Sequence, residues 1–247
     1  MTQFDWLYFG LFVALPVADY FVVTPMFRRH LATDPSRARR RLYSIFIVGL
    51  WLLTGLGVSL WVYEGRAWNA IALSVPDGWR AWSSASLVMI IALLQAWRAS
   101  KVARSALRRE KLRDDLGRLG TIAPMIPRTR SEFHLYVAMG LTAGICEEFL
   151  CRGYLIWLFH NWFEWWVAAA ASLAVFALAH SYQGAKGILV AAVGGAFMTG
   201  TVAIFGSLLP AMAIHAALDI ITGYADWLAI RENASDARPM QLGEGSQ

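Results

Sequence analysis

Glu147 and Glu148 stand side by side in a long apolar run, and Arg152 follows four residues after the second of them. An ionised side chain in hydrocarbon costs on the order of several kcal/mol, so each one there needs a reason. On a helix, Glu148 and Arg152 share a face at i,i+4 and can pair. Glu147 projects about 100° from Glu148 and is left for another task. A structural ion pair needs only one carboxylate. Two carboxylates beside one guanidinium leave one anion with a perturbed proton affinity, which is the condition for a general base. His180 closes a second apolar run, after Phe176-Ala177-Leu178-Ala179. Taken alone, a histidine on an apolar helix is more often a packing residue. A third run carries His215 and Asp219 at i,i+4, the spacing of metal ligands and of a carboxylate that orients an imidazole. Three such sets in one small protein would each need a separate explanation if they did not meet.

The elements that must position these residues are membrane helices. Of the 247 residues, 57% are apolar and 16% charged, far below the charged share of soluble domains. The apolar residues are gathered into runs, and about 20 of them cross a ~30 Å hydrocarbon core. Seven segments emerge, at 4–26, 43–63, 83–97, 133–158, 164–182, 187–205 and 208–230. The third is short, and 66–79 before it reads as an interfacial or re-entrant stretch. The 12 Trp suit the aromatic belts where helices leave the lipid. The expected fold is therefore all-α, a polytopic transmembrane bundle of about seven spans, with six to eight as the bounds. Residues 1–130 form its N-terminal helices, 131–230 its chemical core, and 231–247 a polar, disordered tail. At 1.5 Å per residue, Glu147 lies ~21 Å into its span, His215 ~10 Å into its own, and His180 near an end. Tilted helices permit these depths to converge.

The net charge of +5 does not mark a nucleic-acid protein. Six Arg lie in 27–42 and ten Lys or Arg in 98–131, both short linkers between apolar runs with no recognition motif. This is the pattern of loops retained in the cytoplasm, and the second also suits anionic headgroups. With both loops inside, the N-terminus is outside and the C-terminus cytoplasmic. Met1 to Trp6 lacks a basic n-region, so the first run reads as a span and not as a cleaved signal.

Other features have plainer readings. Cys146 and Cys151 project about 140° apart on a helix and act as buried small hydrophobes. Gly187, Ala191, Gly195, Thr199 and Ala203 form a small-residue stripe that lets a neighbouring helix approach, a packing role with no chemistry. Asp19, close to Pro16, suits a proton-coupled carrier, although the paired, broken half-repeats of such carriers are missing from the pattern. Its plainer reading is a partner for a polar group on a neighbouring helix.

Glu-Glu-x-x-x-Arg, then Phe-x-x-x-His, then His-x-x-x-Asp, in this order on successive membrane helices over 140–223, resembles the CPBP family. That group holds the CAAX prenyl endopeptidases and the bacteriocin-processing or immunity proteins also called Abi. The resemblance implies an intramembrane endopeptidase in which Glu147 and His180 activate water, Glu148 and Arg152 support them, and His215 and Asp219 hold the oxyanion or complete the water site. Asp219 stands where many relatives have Asn, and an ionised Asp cannot donate to an oxyanion. Glu147, His180, His215 and Asp219 are also the candidate ligands for zinc, with a metal-free, glutamate-type mechanism preferred. The implied partners are the bilayer and a peptide or membrane-anchored protein, lipidated or not. A non-catalytic immunity or scaffold protein on the same fold is the alternative.

Overall fold

The computed structural model describes residues 1–118 and 123–231, and every regular element among them is helical. The chain is an all-α, multi-pass membrane protein. Among the described residues, five helices are long and apolar enough to cross a bilayer: α1 (Gln3–Leu31), α2 (Pro35–Tyr63), α3 (Gly78–Arg104), the helix that ends at Phe205, and α8 (Leu208–Ile230). Between them lie α4 (Ala106–Gly117), α5 (130–160), the shorter apolar α6 (Trp165–Ala179) and α7 (Gly184–Phe205). All seven expected spans have a helix, and most are longer than the apolar run that marks them. The third grows to 27 residues because polar turns at both of its ends continue the helix. The second basic linker is itself helical in α4, begun where Ser105 accepts the Arg108 N–H at 3.3 Å. The stretch before α3 folds as one 3₁₀ turn, Trp68–Ile71, which buries Ile71. The tail beyond Arg231 lies outside the described residues.

Helix ends are fixed by side chains that satisfy the free N–H groups of the first turn. Thr129 accepts from Glu132 N at 3.3 Å, and Glu132 accepts from the backbone of Arg128 at 2.7 Å. The same glutamate takes a bidentate pair from Arg39 of α2, at 2.9 and 3.2 Å, with both residues buried. Ser207 starts α8 by accepting from Leu209 N, and donates to Ser74 O at 2.6 Å. A second buried network ties α1 to α5. Asp5 is fully buried and accepts from both Arg66 Nη atoms at 2.8 Å and from Tyr154 Oη at 2.5 Å. The Arg66 guanidinium lies over the Trp157 ring at 4.5 Å.

α5 is the central helix, flanked by α2 and α8, and α8 also packs on α3. Two helices leave regular α geometry. α1 widens to a π turn over Asp19–Val23, shortly after Pro16, and α5 does so over Glu148–Leu155. Such bulges arise from an extra residue in the turn and re-aim the side chains that follow.

Candidate active site

The π segment of α5 begins at Glu148, so the 100° projection of Glu147 away from it marks the last regular step. Glu148 is fully buried, and its Oε1 accepts from Arg152 Nη1 at 3.2 Å and from His215 Nδ1 at 2.7 Å. One oxygen thus joins two of the three motifs. His215 reaches further with its other nitrogen: Nε2 is 3.7 Å from Asp219 Oδ2 and 3.9 Å from Glu147 Oε2. Three carboxylates therefore surround one imidazole. Because Nδ1–H is directed to Glu148, His215 donates from Nε2 only when doubly protonated, and these carboxylates supply the counter-charge for that form.

Arg152 is held from the side opposite Glu148. Its guanidinium lies on the Phe176 ring at 4.1 Å, and Nε donates to Thr199 Oγ1 at 3.5 Å. Gly195 leaves the space for it: a Cβ there would stand 2.5 Å from Arg152 Nη2. The stripe on α7 is thus more than packing, since Gly195 and Thr199 seat the arginine. Phe176 has a role beyond filling the core, as the face on which the cation rests. α5 and α8 come together just as closely, because a Cβ at Gly144 would lie 2.6 Å from Ala216 N and 2.9 Å from Ala216 Cα. Gly140 and Gly144, at i,i+4 before the glutamates, were the sequence signal for this approach. Buried Glu148 Oε2 and Arg152 Nη2 have no protein partner.

His180 is not inside a helix. It caps α6 with φ −88° and ψ 12°, and its Nδ1 is 2.9 Å from Phe176 O. A carbonyl only accepts, so Nδ1 carries the hydrogen and Nε2 is the free acceptor of the neutral ring. The imidazole sits between the rings of Phe176 and Tyr182, at 4.6 and 6.1 Å. It faces a cavity of about 200 Å³ between α1, α2, α5 and the end of α6. Phe12, Leu50 and Phe176 belong to its apolar wall, and Asp19, Glu147 and His180 are its acid–base groups, with Tyr182 beside them. His215 and Asp219 do not line this cavity. Glu147 is the residue shared by its two neighbourhoods, the cavity with His180 on one side and the His215–Asp219 pair on the other. A shallower cavity of about 440 Å³ between α1 and α6, with the exposed Val17, Phe21 and Leu178 on its wall, shares Pro16 and Ala179 with the first.

Zinc binds three or four N, O or S donors at about 2.0–2.3 Å. Among the described residues, no three His, Cys, Asp or Glu side chains are arranged to hold a metal ion. His215 Nδ1 is engaged with Glu148, which is in turn engaged with Arg152. The donor set as folded does not fit a metal centre.

No curated protein matches the chain, and no solved structure does. The family model of the Rce1-like type II CAAX prenyl endopeptidases matches residues 129–221, a stretch that runs from the capping threonine of α5 into α8. It contains Glu147, Glu148, Arg152, His180, His215 and Asp219. Through this segment, which carries all three motifs, the chain is similar to the Rce1-like type II CAAX prenyl endopeptidases.

Proposed function

We propose that this protein is an intramembrane endopeptidase of the CAAX-protease type, which hydrolyses a peptide bond near the membrane in a peptide or membrane-anchored protein. The observation that carries the reading is the division of labour between adjacent glutamates. Glu148 is committed to Arg152 and His215, whereas Glu147 is free of strong partners and opens into the cavity with His180. A structural ion pair has no use for the second carboxylate.

In this mechanism a water held by Glu147 and His180 Nε2 loses a proton to Glu147 as its oxygen bonds to the scissile carbonyl carbon. The carbonyl electron pair moves to oxygen, and His215 Nε2–H donates to the resulting oxyanion. Glu148 fixes the His215 ring, and Arg152 fixes Glu148. When the tetrahedral intermediate collapses, the C–N bond breaks and the leaving amine takes the proton. One water is consumed and one carboxyl and one amine are formed. Two apolar cavities that meet at Pro16 and Ala179 suit a substrate that enters sideways from the lipid, with or without a lipid of its own. The basic loops support an orientation with α4 and the C-terminus in the cytoplasm and the N-terminus outside.

Glu147→Gln tests the reading. It keeps size and removes the proton acceptor, so cleavage of internally quenched peptides should fall by about 10²–10⁴ while the protein still inserts and folds. Full turnover by the variant would refute the role of Glu147.

A further inference from the structure

The cavity that holds Glu147 and His180 has a third acid–base group, which comes from a helix far outside the matched segment. Asp19 lies on α1 and opens the π turn Asp19–Val23. No hydrogen bond or ion pair engages its carboxylate among the described residues, although it sits in a membrane span, where a carboxylate is costly. Its electrostatic partner is His180. The π turn also packs against Ser181–Gln183, the 3₁₀ turn that directly follows His180. The widened turn after Pro16 thus brings a carboxylate to the imidazole and braces the segment that carries it.

Building on the proteolytic reading above, we propose that Asp19 is a positioning residue of the hydrolytic site, acting through His180 from the opposite wall of the cavity. His180 gives Nδ1–H to Phe176 O, and its remaining nitrogen faces the space where the water is held. A water shared by Glu147 and His180 gives one proton to Glu147 and donates its other O–H to the ring, which gains partial positive charge during attack. Asp19 stabilises that positive charge through space from across the cavity, while the Phe176 carbonyl fixes the ring. The carboxylate is present on this helix for this reason, and not to move protons across the bilayer.

The test measures kcat and KM of the full-length protein on internally quenched peptides, farnesylated and unfarnesylated, alongside its melting temperature. Asp19→Asn should lower kcat about tenfold, equivalent to about 1.4 kcal/mol of lost charge stabilisation at the transition state, with KM changed by less than about twofold. Asp19→Glu should regain most of the rate, because the charge is restored within reach of the same ring. Wild-type kcat for Asp19→Asn overturns the assignment, and so does an Asp19→Glu that is as slow as Asp19→Asn. Glu147→Gln is run in parallel to separate this inference from the reading beneath it. Full turnover by Glu147→Gln overturns both, whereas a dead Glu147→Gln beside an unimpaired Asp19→Asn overturns the role of Asp19 alone.

Discussion

Gly144→Ala should slow the proposed peptide cleavage without touching any of the candidate chemical groups. The new Cβ would stand 2.6 Å from Ala216 N, 2.7 Å from its Cβ and 2.9 Å from its Cα, where ordinary contacts begin at 3.4 Å. Two of these three neighbours are backbone atoms of α8, so no side-chain rotation relieves the clash. α8 has to recede by about 1 Å, an overpacking cost of about 1–3 kcal/mol. His215 is the residue before Ala216 and moves with it. Its Nδ1···Glu148 Oε1 bond, 2.7 Å long, would open toward about 3.5 Å, past a useful hydrogen bond. A misplacement of about 1 Å in such a site costs roughly 10²-fold in rate. The assay is kcat on the quenched peptides together with a melting curve. The expected result is a folded protein with a melting temperature lowered by a few degrees and kcat down about 10²-fold. A wild-type rate in a normally folded Gly144→Ala would show that the α5–α8 approach does not set the site.

Gly195→Ala should also be slow, because its Cβ would meet Arg152 Nη2 at 2.5 Å, whereas its neighbour Gly194→Ala meets nothing within 4 Å and should retain the wild-type rate; the pair is compared by kcat. Asp219→Asn should keep activity within about tenfold of wild type, since Asn matches its size and adds a donor near His215 Nε2. Its rate and the wild-type rate are measured with and without chelator, and both should be insensitive to it. Cysteine placed at Ser105 should be labelled by impermeant reagent only from the cytoplasmic side, with little background because Cys146 and Cys151 are buried.

The number of membrane helices could be read from the sequence because length and apolarity alone decide whether a run crosses the lipid. Their ends could not, since caps such as Thr129 with Glu132 continue α5 into polar sequence that hydropathy leaves out. Glu148 and Arg152 were legible as an i,i+4 pair, and the distance of 3.2 Å agrees with that spacing. The π turns were not legible, because an extra residue in a turn leaves no mark on an apolar pattern with almost no polar face. Placing His180 outside the helix required the backbone, as nothing in Phe-Ala-Leu-Ala-His signals where α6 stops. The α7 stripe was visible, but its purpose depended on which side chain fills the space above Gly195, and Arg152 lies 43 positions earlier. Asp5 could be read only as the end of a Thr2-x-x-Asp5 cap, since its other partners, Tyr154 and Arg66, are 149 and 61 residues away.

That last separation has a consequence for how the protein is made. Chains are synthesised at about 5–20 residues per second, so Arg66 follows Asp5 out of the ribosome by about 3–12 s. During that interval the Asp5 carboxylate has no guanidinium beside it, and the pair forms once Arg66 follows α2. The pair is then complete well before Glu147 is synthesised. Tyr154 docks onto the same carboxylate as α5 inserts, which brings the glutamates against a wall that already carries Phe12 and Asp19. The α1 and α2 walls of the cavity are therefore made first, and Glu147 and His180, which complete its lining, follow.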